Sequence, residues 1–277
     1  MSTVTRRLVA AYRLTIEPLV ARVPRPARTS GGWMVAWGDA TGRAIRERRF
    51  EPDETAFVRR FLGPGMKVAD VGAHGGFYTL LARAQVGSAG QVVAFEPSPR
   101  ELRRLRTNLR LNRIDDVAVV STALGEREGE TEYYVVHGVE TGFGGRRAPD
   151  VRGRIEQLTV GLTTLDAALA RLGVGALDLV KVDVEGGELD VFRGAISTLT
   201  ARPRPLVLCE ISDARSAAWG HEGGEVHAFL AELGFDWYEF ARDGSLVARD
   251  GGGAFHGNFV AVPSERRDAV REVLRGG

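Results

Sequence analysis

The sequence predicts an α/β domain in which a mostly parallel sheet carries helices on both faces. From residue 66 onward, short valine- and leucine-rich runs alternate with amphipathic stretches. The runs are apolar at successive positions, as strands buried on both faces are. A glycine turn follows the first run and opens the next helix, an order that builds a ligand site at a strand end.

Strands are predicted at 67–71, 91–95, 117–121, 177–182 and 205–211, with helices at 76–86, 98–111, 164–172 and 187–199. A helix after residue 222, a strand at 235–240 and a last strand at 257–262 bring the sheet to seven strands. Upstream, Leu8, Val9, Tyr12, Ile16, Leu19 and Val20 recur at helical spacing, so 4–22 reads as an amphipathic helix ended by Pro24 and Pro26. It packs on the domain, or serves as a cover or homodimer contact. Trp33, Val35 and Trp37 alternate before Gly-Asp-Ala-Thr-Gly, which reads as a β-hairpin over 33–50. Glu51-Pro52-Asp53 caps a helix that Gly63-Pro64-Gly65 stops. The chain thus divides into an extension, 1–50, and a main domain, 51–277.

Composition narrows the function. The 37 basic and 36 acidic residues of the 277-residue chain give no bulk charge for nucleic acid. No apolar run approaches the ~20 residues of a membrane span, and the arginine-punctuated N-terminus has no signal-peptide core. A single cysteine, Cys209, suits a reducing compartment, so the expected location is cytoplasmic.

The first strand runs into Val-Ala-Asp70-Val-Gly72-Ala73-His74-Gly75-Gly76-Phe77-Tyr78. Glycines let the backbone approach a ligand, and the helix start offers free N–H groups. The order departs from the G-x-G-x-x-G of dinucleotide oxidoreductases, because Ala73 and His74 follow Gly72. Asp70 at the strand end repels a pyrophosphate but attracts the ammonium of a methionine moiety. The second strand ends in Glu96-Pro97-Ser98. Glu96 is placed to accept both hydroxyls of a ribose, and Ser98 to cap the next helix. Thr122 and Ala123, small residues after the third strand, leave room for a flat base.

The fourth strand leads into Asp183-Val-Glu185-Gly-Gly-Glu188. Open α/β sheets bind ligands at that edge. Asp183 is the first polar residue facing the cleft, and alternation puts Lys181 on the same face, where a buried lysine needs a salt bridge. For Glu188 alone, a carboxylate in a helix's first turn is accounted for by the helix dipole. Glu210 projects toward the same rim from the fifth strand. Asp183, Glu185 and Glu210 are the catalytic candidates. Together with Asp213 they could hold magnesium, although no spacing is diagnostic of a metal. On the acceptor side the candidates are Glu188, Phe143, Arg146, His256 and Asn258. Gly138 to Gly153, glycine- and arginine-rich, reads as a loop over the acceptor. His137, His221 and His256 read as exposed loop residues, and Asp213 as a surface residue.

The ordered set Val-Ala-Asp-Val-Gly-Ala-His-Gly-Gly, Phe-Glu-Pro-Ser-Pro, Asn108-Leu-Arg-Leu-Asn112 and Asp183 to Glu188 resembles the FkbM-type methyltransferases that use S-adenosylmethionine (SAM). The resemblance covers about 50–263, and His74 stands where asparagine is frequent. It implies a class I SAM-methyltransferase fold, a product S-adenosylhomocysteine (SAH), and methyl transfer to oxygen on sugars, macrolides and other small metabolites. Competing readings are an NAD-dependent oxidoreductase, a non-catalytic binding module, methylation of a carboxylate or nitrogen, and RNA ribose methylation. The missing G-x-G-x-x-G counts against the first. Intact Asp70, Glu96 and Asp183 count against the second, and near-neutral charge counts against the last.

Overall fold

A computed structural model of the protein describes residues 23–137, 142, 144–149, 154–241 and 244–268. The helix expected over 4–22 lies outside the described residues. The chain opens with an antiparallel hairpin, β1 (Arg25–Thr29) and β2 (Gly32–Ala36), followed by helix α1 (Ala40–Arg46). The hairpin therefore lies one element earlier than the sequence predicts. The reason is Asp39. Its side chain accepts the Gly42 N–H at 2.8 Å and caps α1, so Gly-Asp-Ala-Thr-Gly starts a helix instead of turning a strand.

Then come α2 (Pro52–Phe61), β3 (Lys67–Val71), α3 (Phe77–Val86), β4 (Gln91–Phe95), α4 (Pro99–Leu111) and β5 (Ala118–Val120). A small sheet follows, made of β6 (Ala123–Leu124), β7 (Gly129–His137) and β8 (Arg154–Thr163) in the order β6-β8-β7. The main run resumes with α5 (Leu165–Leu172), β9 (Leu179–Val182), α6 (Glu188–Arg193), α7 (Ile196–Thr200), β10 (Leu206–Ser212), α8 (Asp213–Ala217) and α9 (Gly223–Glu232). It closes with β11 (Phe235–Phe240), β12 (Leu246–Arg249) and β13 (His256–Pro263). The predicted helix at 187–199 is two helices. A Cβ on Gly194 would fall 2.0 Å from the Gly125 carbonyl oxygen, and that close approach breaks the helix between Arg193 and Ile196.

The main sheet has eight strands, ordered β12-β11-β13-β10-β9-β3-β4-β5. The run from β10 to β5 is parallel, and β13, β11 and β12 are antiparallel to their neighbours. The strand beyond the predicted seven is β12. Alternation divides the core between two faces. Val71, Val182 and Cys209 pack with Leu165, Phe192 and Val226 on one side. Val68, Leu179 and Leu208 pack with Phe57 and Leu81 on the other. Each such side chain, fully buried, contributes about 1.5–3 kcal/mol. The second face is also that of Asp70 and Lys181, paired in register across β3 and β9. Two apolar layers thus aim a row of charged residues at the carboxyl edge of the sheet.

Candidate active site

The glycine loop is shaped by contacts at both of its ends. Gly72 has φ +82°, and a Cβ there would fall 1.8 Å from the Asp183 carbonyl oxygen. Only glycine lets β3 turn this close to the end of β9. Gly76 is also left-handed, and a Cβ on it would strike Leu105 at 2.5 Å. Between them the His74 N–H donates to Glu96 at 2.7 Å, and the Gly75 carbonyl accepts from the Asn108 amide at 2.8 Å. The His74 ring turns toward Glu101, 3.3 Å away. The Asn108 oxygen also accepts the Val35 N–H at 2.8 Å, while Asn112 accepts the Trp33 N–H at 2.8 Å. These two asparagines fasten the N-terminal hairpin to the back of the loop.

Beside the loop lies a cavity of about 320 Å³. Asp70, Gly72, Ala73, His74, Phe77, Tyr78, Glu96, Pro97, Ser98, Thr122 and Ala123 line it, as do Asp183, Glu185, Glu210 and Arg146. Gly75 and Gly76 shape the turn behind it. Glu96 is 3% exposed and accepts N–H bonds from His74 and Ser98. Burial, reinforced by the Glu101 charge, pushes its carboxyl up to about 8. The Thr122 hydroxyl is buried without a hydrogen-bond partner, as is one oxygen of Asp70. These unsatisfied groups beside a glycine cradle fit a polar ligand carrying hydroxyl, amine and ring nitrogen groups. The other Asp70 oxygen accepts the Thr79 hydroxyl at 2.6 Å.

Lys181 is 4% exposed and reaches Asp183 at 2.9 Å, the salt bridge the alternation requires. Burial works to lower its pKa, but Asp183, Asp70 and Glu51 outweigh burial and raise it. Asp183 is shifted the other way. Burial raises it, but Lys181 and the hydrogen bonds from Lys181 and Glu210 bring it below the usual carboxylate range. Glu210 is pushed up to about 8 by burial and by the Asp183 charge, so at neutral pH it is the protonated partner. Glu185 is raised by burial, then by Asp183. The oxygens of Asp183, Glu185 and Glu210 lie within 4.8 Å of one another. Arg215 already occupies that cluster, with its Nε on Glu185 and a terminal nitrogen on Glu210, each at 2.8 Å. A metal would have to displace this guanidinium.

Several candidates are placed elsewhere. Glu188 is fully buried, and one oxygen accepts the Val184 and Gly186 N–H groups at 3.1 Å. It ties down the turn before α6 and does not line the cavity, as the dipole argument favours. Asn258 pairs with Glu210 across the sheet but donates to Glu54 at 3.0 Å, outside the cavity lining. His256 is exposed at the start of β13. Asp213, half-buried, accepts the Gly223 and Phe255 N–H groups at 3.0 and 2.9 Å. His137 meets Glu156 at 2.8 Å. Phe143 and most of Gly138 to Gly153 lie outside the described residues. Arg146 does line the cavity. It pairs with Asp190 at 3.2 Å and lies 4.9 Å over the Trp219 ring.

The sequence reading missed Glu51, Tyr133, Arg215 and Trp219, all of which line the cavity. Trp219 donates to the Glu185 carbonyl at 3.2 Å, and a Cβ on Gly186 or Gly187 would strike its ring at 2.9 or 2.8 Å. The only available signal was a tryptophan and an arginine in an otherwise small-residue segment, Asp213 to Gly220.

Comparison with known proteins gives the family. Residues 70–237 match the model of the methyltransferase FkbM domain. The chain is 30% identical over 201 residues to the 31-O-demethyl-FK506 methyltransferase FkbM of Streptomyces tacrolimicus, covering 63% of this chain and 74% of that one. It is 27% identical to the 2-O-methyltransferase NoeI of Sinorhizobium fredii, over 42% of this chain and 52% of that one. It is 28% identical to the antimetabolite synthetase AmbE of Pseudomonas aeruginosa, over 63% of this chain but 10% of that one. The chain therefore spans about half of NoeI and a small part of AmbE. Among solved structures, an O-methyltransferase from Bacillus cereus in complex with SAH aligns at TM-score 0.46 and 14% identity, covering 76% of this chain and 81% of that one. A putative rRNA methylase from Clostridium thermocellum aligns at TM-score 0.47 and 10% identity, covering 76% and 93%. The family match takes in well over half of the chain, which belongs to the FkbM family of SAM-dependent methyltransferases and has their class I fold.

Proposed function

We propose that the protein is an O-methyltransferase acting on a hydroxyl of a small molecule, with residues 1–50 as an extension to a catalytic domain at 51–277. The observation that carries this reading is one cavity lined by both Glu96 and the Lys181-held Asp183. When bound, SAM supplies a methyl group on a positively charged sulfur and leaves as a neutral thioether. Glu96 accepts the ribose hydroxyls. The Gly72 turn holds the backbone close, and Thr122 and Ala123 border the base. Asp183, kept ionised by Lys181, accepts a hydrogen bond from the acceptor hydroxyl and orients its oxygen. An oxygen that has gained a methyl is far more acidic than the parent alcohol, so a carboxylate of low pKa still takes its proton. That proton ends on Asp183.

The chain's net charge of +1 supports a small-molecule acceptor over nucleic acid. The test incubates the protein with SAM carrying a carbon-13 methyl and a panel of polyhydroxylated small molecules. The reading requires a new methoxy carbon resonance. Label found only on nitrogen or carboxylate would overturn the assignment to oxygen.

A further inference from the structure

We propose that Glu51, which precedes α2, is an anionic subsite for the ammonium group of the cofactor's amino-acid end. The inference rests on the reading of the cavity as the SAM site.

Glu51 occupies the N-cap position of α2, where a carboxylate ordinarily turns back onto the free N–H groups of the helix. It makes no such bond. Its backbone is instead left-handed, at φ 42° and ψ 62°, a conformation a glutamate rarely takes. The outcome of this backbone geometry is that the side chain enters the cavity, where it accepts the Tyr78 hydroxyl. Tyr78 stands in the first turn of α3, directly after the glycine loop, and its ring lies 5.0 Å from the Lys181 ammonium.

Three carboxylates, Glu51, Asp70 and Asp183, thus surround one buried cation. Asp70 is 1% exposed and keeps one oxygen without a hydrogen-bond partner. Burial raises the carboxyls of Glu51 and Asp70, so this corner of the cavity gains from a further cation, and it holds a buried acceptor still to be satisfied. A ligand ammonium meets both conditions, and Glu51 is the carboxylate whose backbone is distorted to bring it there.

The test uses calorimetry on the full chain with three probes: SAM, SAH, and methylthioadenosine, which keeps the nucleoside but lacks the amino acid. Glu51→Gln should weaken SAM and SAH by about tenfold or more, the worth of one charge-assisted hydrogen bond, and leave methylthioadenosine within about twofold. Tyr78→Phe, which keeps the carboxylate but removes its anchor, should weaken the same two probes by a smaller factor. Equal losses for all three probes would mean that Glu51 only shapes the pocket, and unchanged SAM and SAH affinities would remove the subsite; either overturns the proposal. Methylthioadenosine binding by the variant shows that it is folded. Wild-type protein that binds none of the three would overturn the methyltransferase reading itself.

Discussion

Replacing Glu96 by glutamine should change stability in opposite directions at low and high pH. In the folded protein burial, aided by Glu101, pushes the Glu96 carboxyl from an ordinary 4.5 to about 8. A folded-state pKa above the unfolded one gives stability that is complete below about 4.5 and is lost as pH rises through about 8. At ~1.4 kcal/mol per pH unit, the loss across that span is roughly 5 kcal/mol. Glutamine is neutral throughout and avoids it. However, the carboxylate accepts two N–H bonds, from His74 and Ser98, and glutamine has one acceptor oxygen. The donor left unpaired costs about 1–3 kcal/mol. Glu96→Gln should therefore be about 2–4 kcal/mol more stable than wild type above about pH 8, and about 1 kcal/mol less stable near pH 5. Urea unfolding of the cofactor-free protein at the two pH values measures the difference. A difference of the same sign at both would refute the electrostatic account of this site. SAM affinity should follow the other branch. Ribose hydroxyls need the anionic form as acceptor, so wild-type affinity should rise toward about pH 8, while the variant binds weakly at all pH values.

Two further predictions follow from named contacts. Asp183→Asn should lower turnover by about 100-fold or more while SAM affinity stays within about threefold, because proton acceptance is lost and the cofactor contacts are kept; turnover at the wild-type level would make Asp183 a partner of Lys181 only. Asn108→Ala should cost about 2–4 kcal/mol in urea unfolding, since the buried amide holds both Val35 and Gly75, and a loss below about 1 kcal/mol would mean that the hairpin is held to the glycine loop by other contacts.

The alternation of buried strands and amphipathic helices was legible because it depends on local period and composition. The glycine turn and the placing of Glu96 two residues before the cap of α4, Ser98, follow from the same local signals. What depends on distant contacts was not legible. The break at Gly194 comes from Gly125, and the N-terminal hairpin was misplaced because Asp39 serves a turn or a cap equally well. In the site, alternation alone gave the Lys181–Asp183 pair. The facing of Asp70 and Lys181 requires knowing that β3 lies beside β9. Glu51 reads as part of a helix start because Pro52 and Asp53 follow it; its left-handed backbone leaves no mark in the sequence. Arg215 and Trp219 reach the cavity through α8 and the turn after it, a short segment with no distinctive pattern.

The most direct test of the account is an experimental structure of the protein saturated with SAH. The account predicts the ribose hydroxyls within hydrogen-bond distance of Glu96 and the sulfur facing Asp183 across the Gly72 turn. SAH bound away from Glu96, or absent from the cavity at saturation, would contradict it.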